Sequence, residues 1–189
     1  MKGFPEVQIS LPTWVGQVCE PGTRFESDDE RMGLAIRLAG ENVKRGTGGP
    51  FGAAVFSTGG ELIAPGVNLV ATSNTALAHA EMVAIAVAGR AVGSFDLSAS
   101  PTELVTSTEP CAMCLGAIPW SGVERLVCGA RDEDARAIGF DEGDKPEDWT
   151  ERLQARGIAV VTDLRRMEAA AVLASYARAG GVIYNGRSR

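Results

Sequence analysis

The sequence lacks the features that mark membrane and secreted proteins. None of its apolar runs approaches the roughly 20 residues needed to span a bilayer. Residues 1–12 contain two prolines and a glutamate but no long apolar core, so they do not resemble a secretory signal. We therefore expect a cytoplasmic protein with no membrane partner. In that compartment thiols stay reduced, so the 4 cysteines are expected to be metal ligands or free thiols.

Positive charge is also scarce. The chain has 18 lysines and arginines against 24 acidic residues, which gives a formal net charge of −6. Proteins that grip a phosphate backbone usually present a basic surface, so we expect a small-molecule substrate and no nucleic-acid partner. The length of 189 residues suits one domain with a complete hydrophobic core.

Histidine is the scarcest residue type, because His79 is the only one in the chain. It lies two positions before Glu81 and upstream of a Cys-x-x-Cys pair formed by Cys111 and Cys114. One imidazole and two thiolates leave the fourth position of a tetrahedral zinc open for water, which is typical of catalytic zinc sites. We predict that His79, Cys111 and Cys114 bind Zn²⁺. Glu81 is not needed as a ligand and is predicted to carry protons.

A structural role for the cysteines is the alternative. A Cys-x-x-Cys pair also occurs in redox sites and in structural zinc knuckles, and Cys19 and Cys128 could complete a sulfur-rich site. Because Cys19 falls in an irregular stretch and Cys128 in a predicted core strand, we expect both to be free thiols. Outside enzymes, the alternative is a non-catalytic zinc-binding interaction domain, and the unligated Glu81 argues against it.

Hydrophobic periodicity predicts a sheet flanked by helices. The predicted strands cover residues 53–57, 61–70, 103–107, 125–129 and 158–162, the first two joined by a Thr-Gly-Gly turn. One predicted helix starts at Asp28 and ends before Gly46, and others cover residues 78–90, 111–120 and 164–179. Pro119 is expected to bend or end the third of these helices. The order of elements predicts a three-layer α/β/α sandwich, with residues 132–150 as its longest irregular segment.

Several motifs resemble those of one enzyme family. They are Gly49-Pro50-Phe51-Gly52-Ala53, Gly66-Val67-Asn68, His79-Ala80-Glu81, Thr108-Glu109-Pro110-Cys111-Ala112-Met113-Cys114, Gly116-Ala117-Ile118, Trp120-Ser121-Gly122 and Ile138-Gly139-Phe140-Asp141-Glu142. With them the chain resembles the cytidine deaminase-like superfamily, whose zinc signature is H-x-E…P-C-x-x-C. The Gly-Phe-Asp-Glu segment points within it to the bacterial guanine and s-triazine deaminases.

The resemblance implies a fold, an activity and an assembly. It implies a central five-stranded mixed sheet with helices on both faces, a homodimer, and hydrolysis of guanine to xanthine and ammonia. An s-triazine such as ammeline, cytosine and nucleosides remain alternative substrates. Editing of tRNA adenosine is a further alternative, and the net charge of −6 weighs against it.

The resemblance also implies residues that contact the base. The predicted substrate-binding residues are Asn68, Phe51, Ala80, Trp120, Asp141 and Tyr184. Glu142 or Asp141 corresponds to a second acid in the pocket, and we favour Glu142 as a catalytic residue. Asn68 can donate and accept hydrogen bonds at a purine edge, and Phe51 and Trp120 offer flat faces for a planar base.

Three segments are expected along the chain. Residues 1–27 form an N-terminal extension, residues 28–180 the zinc-dependent deaminase domain, and residues 181–189 a C-terminal segment that caps an active site of the partner subunit. That segment includes Tyr184. Pro119 departs from the expected pattern, because it removes a backbone N–H inside the helix that carries Trp120.

Overall fold

The computed structural model describes residues 3–186 and has a five-stranded mixed sheet between two layers of helices. The strands are β1 (Gly52–Ser57), β2 (Leu62–Val67), β3 (Thr102–Thr108), β4 (Arg125–Ala130) and β5 (Ala159–Val161), in the order β2-β1-β3-β4-β5. β1 is antiparallel to both β2 and β3, whereas β3, β4 and β5 are mutually parallel. The predicted three-layer fold with a five-stranded mixed sheet is confirmed.

The helices of the described chain vary widely in length. They are α1 (Val15–Val18), α2 (Asp28–Lys44), α3 (Val70–Ser73), α4 (Ala80–Val92), α5 (Ala112–Ser121), α6 (Asp132–Ala137), α7 (Trp149–Gln154) and α8 (Arg166–Arg178). Helices α2 and α8 pack on one face of the sheet, and α4 packs on the other, where it also contacts α5. Within residues 3–186, no helix has the length and apolar character required to cross a bilayer.

Side chains along the strands point alternately to the two faces of the sheet, and each face has a hydrophobic core. In β1, Ala54 and Phe56 pack against the side of α2, whereas Ala53 and Val55 pack against the alanines of α4. All four residues are fully buried. Successive side chains of a strand point to opposite faces, so a strand covered on both sides is apolar throughout.

Two residues of the N-terminal segment belong to the core. Trp14 and Val15 are buried and pack in the cluster that contains Met32 of α2. Residues 1–27 were expected to form an irregular extension, but the described part, residues 3–27, contains α1 and contributes apolar area to the domain. Ser27 then caps α2, since its side chain accepts a hydrogen bond from the backbone N–H of Glu30.

Strand β2 is shorter than the periodicity predicts. Residues 61–70 were expected to be strand, but β2 ends at Val67 and α3 begins at Val70. The reason lies in Asn68, whose Oδ1 accepts a hydrogen bond from the N–H of Val70 at 3.3 Å and turns the chain. Similarly, residues 132–150 were expected to be irregular but include α6 and the start of α7.

One edge of the sheet gathers the segments that carry the predicted site. Strand β1 starts at this edge, and β2 and β3 end there, because both are antiparallel to β1. Phe51 precedes β1, Asn68 follows β2, and Glu109 follows β3. The carboxyl ends of parallel strands are the usual position of ligand sites in open α/β sheets.

Candidate metal centre and base-binding cavity

The three predicted metal ligands lie at the starts of two helices. His79 is the N-cap residue of α4 and Cys111 that of α5, and both have an extended backbone. Cys114 lies in the first turn of α5, so one helical turn returns it to the side of Cys111. In the described part of the chain, neither N-cap residue makes the usual side-chain capping hydrogen bond. Both side chains are therefore available to a shared ligand.

The spacing of the donor atoms fits a tetrahedral zinc ion. His79 Nδ1 lies 3.5 Å from Cys111 Sγ and 3.6 Å from Cys114 Sγ, and the three donors lie within 4.8 Å of one another. A tetrahedral ion with Zn–S of about 2.3 Å and Zn–N of about 2.0 Å separates sulfur and nitrogen by about 3.5 Å. The two nitrogen–sulfur distances thus match Zn²⁺, and Cys19 and Cys128 lie outside this group.

The two thiols differ in pKa. A hydrogen bond with Cys114 lowers the pKa of the Cys111 thiol to about 4, against an opposing effect of burial. The same hydrogen bond raises the pKa of Cys114. A lowered pKa favours the thiolate form of Cys111, which is the form that ligates a metal ion.

A cavity of about 370 Å³ opens beside this group. Its volume lies at the lower end of the range for small-molecule sites. The predicted residues that line it are Phe51, Asn68, His79, Glu81, Cys111, Asp141, Glu142 and Tyr184. Cys114 is fully buried behind it. The fold thus brings the predicted metal ligands and most predicted substrate residues to one place.

Two buried carboxyl groups face this cavity. Glu81, in the first turn of α4, is 7% exposed, and Glu142 is 6% exposed. Burial, aided by the Cys111 thiolate, raises the pKa of Glu81 to about 7. Burial and the charges of Cys111 and Glu81 raise the pKa of Glu142 to about 8. Paired acids whose pKa values lie near neutrality are typical of groups that exchange protons in catalysis.

Asp141 and Glu142 are neighbours with different surroundings. Asp141 is exposed, and its Oδ1 accepts a hydrogen bond from the N–H of Gly143 at 2.9 Å, as in a turn. The carbonyl of Glu142 accepts a hydrogen bond from the N–H of Ala112, which ties this loop to the start of α5. These contacts favour Glu142 as the second acid of the cavity.

A buried lysine anchors the loop that follows Glu142. Lys145 Nζ lies 3.0 Å from Glu109 Oε2 and 3.3 Å from Asp132 Oδ1, and its side chain is 7% exposed. It also lies 4.9 Å from the ring centroid of Trp149. Because Glu109 immediately precedes the Pro-Cys motif, this ion pair connects the loop of Glu142 with the segment of the metal ligands.

An aromatic wall closes one side of the cavity. Phe140 contacts Phe51 edge-on at a centroid distance of 5.0 Å and Tyr184 at 4.9 Å. The Tyr184 hydroxyl is buried and has no hydrogen-bond partner among residues 3–186. Phe140 was not predicted as a site residue, although it lies within the Gly-Phe-Asp-Glu segment. Glu109, which also lines the cavity, was missed as well, although it lies in the Pro-Cys motif segment.

Two predicted substrate residues are not among the described residues that line the cavity. Trp120 is 86% exposed and borders a separate surface groove with Trp149. It lies nine residues after Cys111, about two and a half helical turns, so it points away from the metal ligands. Pro119 does not end α5, which continues to Ser121. Ala80 is buried under the sheet edge and packs against β1 and β2.

The described part of the C-terminal segment, residues 181–186, lies over the cavity of its own chain. Asn185 Oδ1 accepts a hydrogen bond from the N–H of Asp141 at 2.9 Å, and its Nδ2 donates to the carbonyl of Gly139 at 2.8 Å. Tyr184 packs on Phe140. Capping of a partner's active site by this segment stays a prediction. Residues 187–189 lie outside the described residues.

We predict that Cys114→Ser lowers the zinc content well below one ion per chain, because a neutral hydroxyl replaces a thiolate ligand. Cys128→Ala is the matched control, since Cys128 is equally buried but lies in the core of β4. Metal analysis of both purified variants checks the expectation. Equal zinc content in the two variants would remove Cys114 from the ligand set.

Comparison with known proteins supports this geometry. The family model described as the cytidine and deoxycytidylate deaminase zinc-binding region matches residues 25–130. A guanine deaminase of Bacillus subtilis (strain 168) is 45% identical over 108 residues, which cover 57% of this chain and 67% of that protein.

Solved structures match over nearly the whole chain. A structure of guanine deaminase from Nitrosomonas europaea has a TM-score of 0.87 at 44% identity, covering 92% of this chain and 97% of that one. A solved structure of the protein NE0047 in complex with 2,6-diaminopurine has a TM-score of 0.89 at 46% identity, covering 96% of this chain and 98% of that one. The family match includes His79, Cys111 and Cys114. The chain therefore belongs to the family of the cytidine and deoxycytidylate deaminase zinc-binding region.

Proposed function

We propose that this protein hydrolyses guanine to xanthine and ammonia with Zn²⁺ as its cofactor. The observation that carries the proposal is the position of two buried acids, Glu81 and Glu142, in one cavity beside the His-Cys-Cys group. The similarity to guanine deaminases, and to a structure that holds a diaminopurine, supports a purine base as the substrate.

The reaction replaces the 2-amino group of guanine with an oxygen from water. His79, Cys111 and Cys114 would hold the zinc ion, which would supply a Lewis acid that makes a water molecule easier to deprotonate. Glu81 accepts a proton as the water oxygen bonds to C2, and delivers it to the adjacent ring nitrogen N3. It then transfers the second proton of the water to the amine, which leaves as ammonia when the C2–N bond breaks. A carboxyl group whose pKa is near 7 can both accept and donate a proton at neutral pH.

The cavity offers complementary groups to the edges of guanine. The base presents donors at N1–H and its amino group, and acceptors at N3, N7 and O6. Ionised, Glu142 can accept hydrogen bonds from the donors. Asn68 uses Oδ1 to bind Val70, which leaves Nδ2 to donate to an acceptor of the base. Phe51 and Tyr184 border the space in which the ring would lie.

A substrate panel tests the proposed activity. Ammonia release is measured with zinc-loaded protein on guanine, ammeline, cytosine, adenine and the corresponding nucleosides. The proposal expects guanine to have the highest kcat/KM. A higher value for ammeline or cytosine would retain the chemistry but reject guanine as the substrate. No release from any of these compounds would favour a non-catalytic zinc domain.

We predict that Glu81→Gln keeps the zinc but lowers kcat by about 10² to 10⁴-fold, the usual contribution of a general acid–base group. Glutamine preserves the shape of the side chain but cannot carry a proton. Metal analysis and an ammonia assay on the same sample separate loss of metal from loss of turnover, and Glu124→Gln on the surface is the control. A zinc-loaded Glu81→Gln enzyme with wild-type kcat rules out the proton-transfer role.

We predict that Glu142→Ala lowers kcat/KM for guanine by at least about tenfold, whereas Asp141→Ala changes it less than threefold. Removing the acid leaves buried donors of the base without a partner, which costs about 1–3 kcal/mol, and 1.4 kcal/mol is tenfold. Only Glu142 is buried in the cavity. Steady-state kinetics with zinc content checked for both variants measures the difference. The reverse order would make Asp141 the second acid.

We infer that the chain assembles as a homodimer through the face that carries Trp120, in a cytoplasmic setting that keeps the ligand thiols reduced. A single chain leaves Trp120 86% exposed and the nearby groove with Trp149 uncovered. Contiguous exposed apolar area marks interaction surfaces, and Trp120 adjoins Leu115 and Pro119 in the lining of this groove.

We predict a mass of about twice 19.8 kDa in light scattering. Trp120→Glu should shift the mass toward one chain, since a charge would be buried at the interface. Met167→Glu, at another exposed apolar residue on α8, is the control and should leave the mass unchanged. A wild-type monomer would reject the homodimer, and a dimeric Trp120→Glu variant would reject this face.

A further inference from the structure

A buried asparagine connects two segments of the cavity wall. Asn42 of α2 is fully buried. Its Nδ2 donates to the carbonyl of Gly49 at 2.9 Å and to the carbonyl of Asn68 at 2.8 Å. Its Oδ1 accepts a hydrogen bond from Thr47 Oγ1 at 2.7 Å. Both N–H donors and one acceptor site of the amide are therefore satisfied, as a buried amide requires.

Of the two carbonyls that Asn42 binds, one belongs to the cavity residue Asn68 and the other to Gly49, just before the cavity residue Phe51. Gly49 lies two positions before Phe51, and a Cβ atom there would approach the Tyr184 hydroxyl to 2.2 Å. Asn68 places its side chain in the cavity itself. The segments are in close contact, since a Cβ atom on Gly48 would lie 1.8 Å from the carbonyl oxygen of Asn68. The amide of Asn42 thus fixes the separation of the two walls.

The other end of this network reaches the N-terminal segment. Thr47 Oγ1, which donates to Asn42, accepts a hydrogen bond from Trp14 Nε1 at 3.1 Å. Trp14 is 5% exposed, and the guanidinium of Arg45 lies 5.4 Å from the centroid of its ring. A continuous chain of hydrogen bonds therefore leads from Trp14 through Thr47 and Asn42 to Asn68.

We propose that Asn42 is a positioning residue for the substrate base, acting through Asn68, and that Thr47 and Trp14 hold the amide of Asn42 in orientation. The inference rests on the proposed contact between Asn68 and the base. The backbone carbonyl and the side chain of Asn68 share one Cα atom, so an anchored carbonyl determines where the side-chain amide lies. A displaced Asn68 amide would bind the base less well in the ground state and in the transition state alike, which raises KM and leaves kcat nearly unchanged.

Thr47→Val and Thr47→Ser form the decisive pair of variants. Valine keeps the shape of threonine but removes the hydroxyl, so Asn42 Oδ1 loses its donor and Trp14 Nε1 its acceptor. Because Asn68 contacts the base throughout the reaction, the loss should raise KM for guanine by about fivefold to tenfold and change kcat less than twofold. Serine retains the hydroxyl and should restore KM to within about twofold of the wild-type value. Trp14→Phe should raise KM in the same direction by a smaller factor.

Ser27→Ala controls for general loss of stability. It removes the cap at the opposite end of α2, far along the helix from Asn42, and should leave KM unchanged. Zinc content is measured for every variant and should equal that of the wild type. A wild-type KM for Thr47→Val overturns the inference, as does a KM that rises equally in Thr47→Ser or Ser27→Ala.

Asn68→Ala separates this inference from the proposed function. A raised KM for Asn68→Ala with an unchanged KM for Thr47→Val overturns only the role of Asn42. An unchanged KM for Asn68→Ala shows that Asn68 does not bind the base and overturns the inference while leaving guanine deamination intact. A zinc-loaded wild-type protein that releases no ammonia from guanine overturns both.

Discussion

The predicted metal site requires an imidazole nitrogen and two sulfurs within one coordination sphere. The fold meets this requirement by placing the starts of two helices side by side. His79 starts one helix and Cys111 another, and both helices begin at the same edge of the sheet. The 3.5 and 3.6 Å separations between nitrogen and sulfur leave little tolerance. Burial of α4 and α5 against the sheet holds their first turns in place, so the metal geometry follows from the packing of the hydrophobic core on that face.

The cavity combines groups that are individually costly to bury. Its two acids are removed from water, which disfavours their charged forms and brings their pKa values close to neutrality. The nearby lysine is committed to Glu109 and Asp132, and stabilises the loop that carries Glu142. The aromatic residues Phe51 and Phe140 supply the apolar remainder of the wall. A cavity that combines buried acids with aromatic side chains suits a planar base with hydrogen-bonding groups along its edges.

Much of this arrangement could be predicted from the sequence, because the decisive features are local. The acids at Asp28 mark the start of α2, alternating apolar residues mark the strands, and the spacing of His79, Cys111 and Cys114 fixes the type of metal. The failures have tertiary causes. Strand β2 ends where the side chain of Asn68 accepts a hydrogen bond from the backbone. Trp14 lies in the core although no hydrophobic periodicity in the sequence predicts its burial. The direction of the Trp120 side chain depends on how α5 is rotated about its axis. The burial of Phe140 depends in part on Tyr184, which lies more than 40 residues later in the sequence.

The starts of α4 and α5 have a further consequence. Serine, threonine, aspartate and asparagine are the preferred residues at these positions, because their side chains bind the first free N–H groups of a helix. Here the positions hold a histidine and a cysteine of the predicted metal site. The fold therefore lacks two stabilising capping hydrogen bonds, one at the start of each helix, beside the cavity. An ion that ties the two residues together compensates for the loss, because ligands that bind only the native form shift the folding equilibrium toward it. Without the ion, we expect the first turns of α4 and α5, which border the cavity, to be the first part of the fold to lose their structure.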